Sequence, residues 1–314
     1  MDEIDITISM MLMANSRIPY AEIAQMLNMS VNSVHKRVKS MVEIGALQHF
    51  QTKLSFLLFP NTTNIIMFGE SLIKNTKSLF NKLGKHECIF NVTQASGNIF
   101  FIHAYLENIN DLDSLVNFVR KTGQIKEPFI GLSKTFPSKI EIDASAINIS
   151  KLDYLLIHSL KNNSRKTIAE ISKEINSSTK TLRRHLNDLI EKDLVRFTVD
   201  WYPDKSPQFL TMILVKAKPN IDFDTSALID KLRDQYSPKF VFNWAFSNHP
   251  DLILFCFLAN TMREITEIKD YLFLMEFESV DVHILIEGRM YPTWIDTYLD
   301  KKVRELTNGS KKPN

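Results

Sequence analysis

The stretch "ANSRIPYAEIAQMLNMSVNSVHKRV" that begins at Ala14 returns in altered form as "NNSRKTIAEISKEINSSTKTLRRHL" from Asn162. One ungapped offset, which carries Asp5 to Asp153, also places Leu12 on Leu160, Asn15-Ser16-Arg17 on Asn163-Ser164-Arg165 and Ala21-Glu22-Ile23 on Ala169-Glu170-Ile171. It continues through Asn28 on Asn176 and Ser30 on Ser178. A repeat that holds register over this length requires the same supersecondary unit to form twice, and so limits the fold more than composition does.

Each copy reads as three helices. In the first, Ile4, Ile8, Met11 and Leu12 give a helically spaced apolar face, and the next helix turns Tyr20, Ile23, Ala24 and Leu27 inward. "NMS" then turns the chain: Asn28 suits the left-handed conformation that ends a helix, and Ser30 caps the next one. The third helix places Val31, Val34, Val38 and Met41 inward, and Gly45 ends it before a strand-like "LQHFQTKLSF". Asn32, Ser33, His35, Lys36, Lys39 and Ser40 are left outside, a face of cations and hydrogen-bonding groups. In the second copy Ser178 caps, Thr179, Leu182, Leu186 and Leu189 face inward, and Lys180, Thr181, Arg183, Arg184 and Asn187 face out. Asp193 stands there in place of Gly45, and Glu174, Asp188 and Glu191 add negative charge. Periodicity leaves Arg37 and His185 unassigned.

After each helical unit the pattern reads strand, helix, strand, strand, helix, strand. The first series is "NIIMFG", "SLIKNTKSLFNKL", "CIFNVTQ", "IFFIHAYL", "INDLDSLVNFVRK" and "FIGLSKT"; the second is "LTMILVKA", "TSALIDKLRDQ", "FVFNWAF", "LILFCFL", "MREITEIKDYL" and "SVDVHILI". That order predicts a ferredoxin-like βαββαβ sheet. The expected class is α+β, with two winged helix-turn-helix domains alternating with two ferredoxin-like domains. The limits are 1–54, 55–145, 146–204 and 205–290, followed at 291–314 by a helix near "WIDTYLDKKVREL" and a disordered polar tail.

An outward helix face of Asn, Lys and Arg suits the DNA major groove, where Asn pairs with adenine and Lys or Arg reaches guanine or phosphate. A few cations on a helix ordinarily mean only a solvated face; the framework occurring twice, with its basic face in the same place, points instead to double-stranded DNA. The formal charge of +2 provides no general attraction to a polyanion, so the patches must act locally. Cys88 and Cys256 lie in apolar stretches and read as buried free thiols, as in a reducing cytoplasm. With no signal-like N-terminus and no apolar run approaching the ~20 residues that span a bilayer, a cytoplasmic protein without a membrane partner is expected.

Over its first fifty residues the chain resembles the Lrp/AsnC (feast/famine) transcriptional regulators, with Asp5, Asn15, Arg17, Ile23, Ala24, Ser30, Val34, Arg37 and Gly45 on the family pattern. The resemblance implies a DNA-reading head and an α/β domain that dimerises and senses a small-molecule effector through a Gly-x-x-Asp-like turn. Here Gly97-Asn98 lacks the acid, and His249-Pro250-Asp251 lacks the glycine, so plain hairpins are preferred to an effector site at Gly97, Asn98, His249 and Asp251. Two domain pairs in one chain imply a fused pseudo-dimer suited to unequal half-sites, with homodimerisation through the α/β domains also open.

The eight glycines form no phosphate-binding loop, and no serine-hydrolase elbow or zinc motif is present. No catalytic residue, metal or cofactor is therefore expected. One enzymatic alternative is the related sirohaem decarboxylases, which hold a tetrapyrrole with His and Arg; the strand-associated His49, His103, His249 and His283 are the histidines in or beside strands. The other alternative is an assembly module with one inactive helix-turn-helix, the second.

Overall fold

The computed structural model describes residues 1–134, 148–218, 224–275 and 277–308. The chain forms α1 (Glu3–Ala14), α2 (Tyr20–Met26), α3 (Val31–Glu43), β1 (Leu47–Leu54), β2 (Thr63–Glu70), α4 (Thr76–Leu83), β3 (Ile89–Ala95), β4 (Ile99–Leu106), α5 (Leu112–Gly123) and β5 (Phe129–Leu132). The series then repeats as α6 (Lys151–Leu160), α7 (Ile168–Ile175), α8 (Thr179–Glu191), β6 (Val195–Trp201), β7 (Phe209–Ala217), α9 (Thr225–Tyr236), β8 (Phe240–Ala245), β9 (Leu252–Ala259), α10 (Met262–Phe273) and β10 (Phe277–Met290). A last helix, α11 (Trp294–Asn308), takes in Thr307 and Asn308 of the expected polar tail; the remainder of that tail, like residues 135–145 of the first α/β segment, lies outside the described residues.

Contacts gather these elements by kind into two compact units. One holds the described parts of residues 63–134 and 202–291, with the first seven residues grouped with it; the other holds residues 8–62, 148–201 and 292–308. Each is therefore built from both copies of the repeat.

In the α/β unit the strands form one eight-stranded sheet in the order β5-β2-β4-β3-β10-β7-β9-β8. Each half has the ferredoxin-like order, and the halves join where β10 runs antiparallel to β3, with Leu285 opposite Ala95 and Met290 opposite Asn91. The outer strands are tied as well. Ser133 bridges to Phe246, Lys134 N–H donates to Ala245 O at 2.8 Å, and Ser247 N–H donates to Leu132 O at 2.8 Å. Asn248 completes this seam, accepting from Leu132 N–H and donating to Ile130 O, each at 2.8 Å. These bonds join the C-terminal ends of β5 and β8 and pair the edge backbone groups there. A Cβ at Gly131 would lie 2.3 Å from the Phe246 ring, so only glycine admits this approach.

Alternation along β4 separates two packing layers. Phe100 meets Phe80 of α4, with centroids 5.7 Å apart, on the helix-covered face. Phe101 and His103 point to the opposite face, where Phe101 meets His283 of β10 and His103 lies 5.3 Å from Trp244 of β8. In the second half Ile213, Val215, Phe255 and Phe257 pack under Leu228, Leu232, Ile268 and Leu272 of its two helices. Cys88 and Cys256 are buried free thiols, and burial raises the pKa of both.

In the helical unit the strands that follow the two third helices, β1 and β6, pair with each other as an antiparallel ribbon, Leu47 opposite Trp201 and Leu54 opposite Val195. Beside it, equivalent residues of the two copies meet. Ser16 Oγ and Ser164 Oγ share a hydrogen bond of 2.6 Å. Arg165 donates to the carbonyls of Ser16 (2.6 Å) and Ile18 (3.2 Å), while Arg17 donates to those of Ser164 and, at 3.0 Å, Lys166. The backbone follows the same rule: Ser16 N–H donates to Phe197 O and Ser164 N–H to Phe50 O. Such reciprocity defines an isologous, two-fold arrangement, here within one chain. α11 packs on this unit through Lys161, whose ammonium binds both carboxylate oxygens of Asp300 at 2.7 and 2.8 Å, and through Trp294 and Tyr298, which flank Phe59.

Three residues expected inside are exposed: Ile4 (39%), Val31 (41%) and Thr179. Val31 and Thr179 are the first residues of α3 and α8; helical spacing gives the direction in which a side chain points, and nothing covers that first turn.

Two outcomes follow. Arg165→Ala removes three donor contacts to the other copy and the stacking of its guanidinium 4.1 Å from the Tyr20 ring; urea denaturation should show a loss of about 2–3 kcal/mol in the helical unit, with little recovery in Arg165→Lys, which lacks the planar fork. Burial lowers the His103 pKa to about 4 from an ordinary 6.5, so the unfolded chain binds the extra proton first. Stability present above pH ~6.5 should fall by about 3 kcal/mol as the pH drops to ~4, and His103→Leu should remove that contribution.

Candidate nucleic-acid interface

α3 and α8 are each the third helix of a compact three-helix head, and the local chemistry that sets them is the same in both. Asn28 (φ +50°) and Asn176 (φ +51°) adopt the left-handed conformation that ends α2 and α7, as their short polar side chains allow. Two residues later Ser30 Oγ accepts from Ser33 N–H and Ser178 Oγ accepts from Thr181 N–H, both at 3.1 Å. The second head is more heavily capped, with Thr167 and Glu170 forming a reciprocal capping box at the start of α7.

Val34, Val38 and Met41 hold α3 to its head, and Leu182, Leu186 and Leu189 hold α8. The opposite faces are open. Asn32, His35, Lys36 and Lys39 are exposed on α3, as are Lys180, Arg183, Arg184 and Asn187 on α8; Ser33 and Thr181 are half-buried, their hydroxyls 2.8 Å from those of the capping serines. The structure therefore gathers the ten expected groove-facing residues into two equivalent faces of the helical unit. Within them, Lys39 forms a loose exposed pair with Glu43 at 3.7 Å, and His35 meets the edge of the Tyr20 ring at 4.5 Å. Lys36, Arg183 and Arg184 make no ion pair among the described residues.

His185 turns away from the groove-facing side. Its Nδ1 lies 2.7 Å from Asp153 Oδ1, and the other oxygen of Asp153 accepts the Ser150 N–H and hydroxyl in the cap of α6. Sequence reading also missed Ser16, Arg17, Ser164 and Arg165 as the joint between the heads. Burial, and next the neighbouring Arg165, lower the Arg17 pKa, and the carbonyls around each guanidinium replace lost water. The available signal was the identity of "NSR" in both copies; two equivalent residues can meet on a two-fold axis, but one copy viewed alone does not reveal it.

The turns considered for an effector make contacts with their own scaffold. Gly97 and Asn98 have φ of +71° and +56°, and the Asn98 amide donates to the carbonyls of Ser71 and Ile73. His249 lies against Phe129 at 4.8 Å, and Asp251 O accepts from Ala217 N–H at 2.8 Å. Of the four strand-associated histidines, His49 belongs to the helical unit and pairs with Asp200 at 2.9 Å, while His103 and His283 lie on β4 and β10 of the sheet and His249 in the turn between β8 and β9. Among the described residues no cluster of three His, Cys, Asp or Glu could hold a metal, and no helix is long and apolar enough to cross a membrane.

Gly45 (φ +76°) and Asp193 (φ +50°) adopt the same left-handed turn after α3 and α8. Asp193→Gly should therefore stabilise the second head by about 0.5–1 kcal/mol, and Ser178→Ala should cost about 1 kcal/mol, both read from thermal or urea unfolding.

A family model for the AsnC-type helix-turn-helix domain matches residues 1–42, and one for winged helix-turn-helix DNA-binding domains matches residues 149–196. An uncharacterized HTH-type transcriptional regulator of Pyrococcus abyssi is 30% identical over 122 residues, covering 38% of this chain and 82% of the relative. A second such regulator, from Pyrococcus furiosus, is 36% identical over 55 residues, covering 18% of this chain and 37% of its own. The crystal structure of the siroheme decarboxylase NirDL superposes over 99% of this chain and 100% of its own, with a TM-score of 0.59 at 11% identity, and so has the same fold. With both heads matched by helix-turn-helix family models and a regulator covered over most of its length, the chain belongs to the Lrp/AsnC family of helix-turn-helix transcriptional regulators, in a tandem-duplicated form.

Proposed function

We propose that this regulator binds specific duplex DNA as a fused pseudo-dimer, presenting α3 and α8 to two half-sites. The observation that carries this reading is the reciprocal Ser16–Ser164 and Arg17–Arg165 joint, which relates two equally capped, basic-faced helices in the way a two-fold dimer relates its recognition helices. Asn32, Ser33, His35, Lys36 and Lys39 form the first contact set, and Lys180, Thr181, Arg183, Arg184 and Asn187 the second. Phosphate contacts by the cations and helix N-termini supply affinity, while base-edge contacts supply specificity. The working domain limits are 1–54, 55–145, 146–204, 205–290 and 291–314. Gly97, Asn98, His249 and Asp251 serve as turn residues in this scheme, and further dimerisation would use the α/β domains.

The full-length fold likeness to NirDL, which has also been crystallised with an iron-uroporphyrin III analogue, favours one competing reading, a tetrapyrrole enzyme. The bonded turns and the enclosure of His103 between Phe90 and Trp244 support the regulator. A fluorescence-anisotropy titration with duplex DNA at several salt concentrations tests it. Lys36→Ala/Lys39→Ala should weaken binding about tenfold or more and reduce the slope of log affinity against log salt by about one per lysine. Arg183→Ala/Arg184→Ala should do the same; if only the first pair matters, the second head is an assembly element. Salt-insensitive binding together with a Soret-band shift on adding an iron porphyrin would replace the regulator with the enzyme.

A further inference from the structure

The two reading faces are alike in architecture and unlike in chemistry. The repeat offset pairs Asn32 with Lys180, Ser33 with Thr181, His35 with Arg183, Lys36 with Arg184 and Lys39 with Asn187. Ser33 and Thr181 perform the same task, placing a hydroxyl 2.8 Å from the capping serine, and Lys36 and Arg184 share a charge. The other three pairs differ in kind. At 32/180 an amide faces an ammonium, at 35/183 an imidazole faces a guanidinium, and at 39/187 an ammonium faces an amide.

The supports beneath them differ too. Tyr20 has Ile168 as its counterpart, so the first head alone has a ring there. That ring is contacted at its edge by His35, at 4.5 Å, and carries the Arg165 guanidinium over its face at 4.1 Å. His35 is thereby anchored close to the helix, whereas Arg183, exposed and without an ion pair among the described residues, has its full reach.

Resting on the DNA-reading function above, we infer that this chain recognises a polar, non-palindromic site: α8 takes a guanine-containing half-site and α3 an adenine-containing one, so a single chain binds in one orientation. Arg183 offers its paired donors to guanine O6 and N7, and Asn32, in the first turn of α3 where a groove-bound helix meets base edges, offers a donor and an acceptor to adenine N6 and N7, whereas Asn187 lies about two turns further along α8. The joint within the helical unit holds the two unlike helices as one reading element.

The test is selection and sequencing from a random duplex library, using the full chain and three proteins. The wild type should enrich two unlike half-sites in fixed order. Asn32→Lys/His35→Arg/Lys39→Asn, which changes only exposed positions, should enrich an inverted repeat of the guanine-containing half, with about a tenfold preference over the wild-type site. The reciprocal Lys180→Asn/Arg183→His/Asn187→Lys variant should enrich an inverted repeat of the other half, which keeps the test decisive if one triple variant fails to fold. An inverted repeat of equal halves for the wild type, or an unchanged motif in a folded variant, overturns the inference and leaves the DNA-reading function standing. Absence of any enriched motif for the wild type overturns both.

Discussion

The hydrogen bond between Ser16 and Ser164 lies where the two copies of the repeat face each other, and the organisation of the helical unit depends on it. Two hydroxyls that occupy the same place in each copy can meet only on or near a two-fold axis. Once they do, the next residue in each copy, Arg17 or Arg165, reaches the carbonyls beside its partner's serine. A half-buried guanidinium is costly to desolvate, and that cost is offset where carbonyls and an aromatic face surround it. Phe197 and Tyr20 supply those faces, and β1–β6 pairing extends the same symmetry along the backbone.

The α/β unit solves the same problem by different means. A ferredoxin-like sheet has two edges, and an isolated copy would leave both exposed. Here β10 joins β3, and at the far side Asn248, Phe246 and Gly131 let the end of β5 reach the end of β8. The two seams are equivalent under the repeat but unequal in extent, because β10 runs for 14 residues and β5 for 4. Duplication within a chain removes the requirement for equal halves, so each copy can change alone. The helical heads show the same freedom, with Tyr20 and His35 on one side and Ile168 and Arg183 on the other.

Much of this could be read from residues in order. The left-handed asparagines, the capping serines, both βαββαβ series and the buried thiols all follow from local chemistry, because each depends on neighbours a few positions away. Val31 and Thr179 were misjudged since periodicity fixes direction but not cover. Periodicity left His185 unassigned, and only its contact with Asp153, 2.7 Å away, places it. In each case the deciding partner lies far along the chain or outside the pattern being read.

The sequence by itself determined that one supersecondary series forms twice, where its helices are capped and turned, and which side chains remain for the outer faces of α3 and α8. These are consequences of backbone preference and short-range hydrogen bonding. Tertiary structure alone decided how the two copies join: Ser16 meets Ser164, β1 pairs with β6, and the ends of β5 and β8 meet at Gly131. Those choices rest on contacts between residues more than a hundred positions apart, whose energies depend on three-dimensional fit and carry no period along the chain.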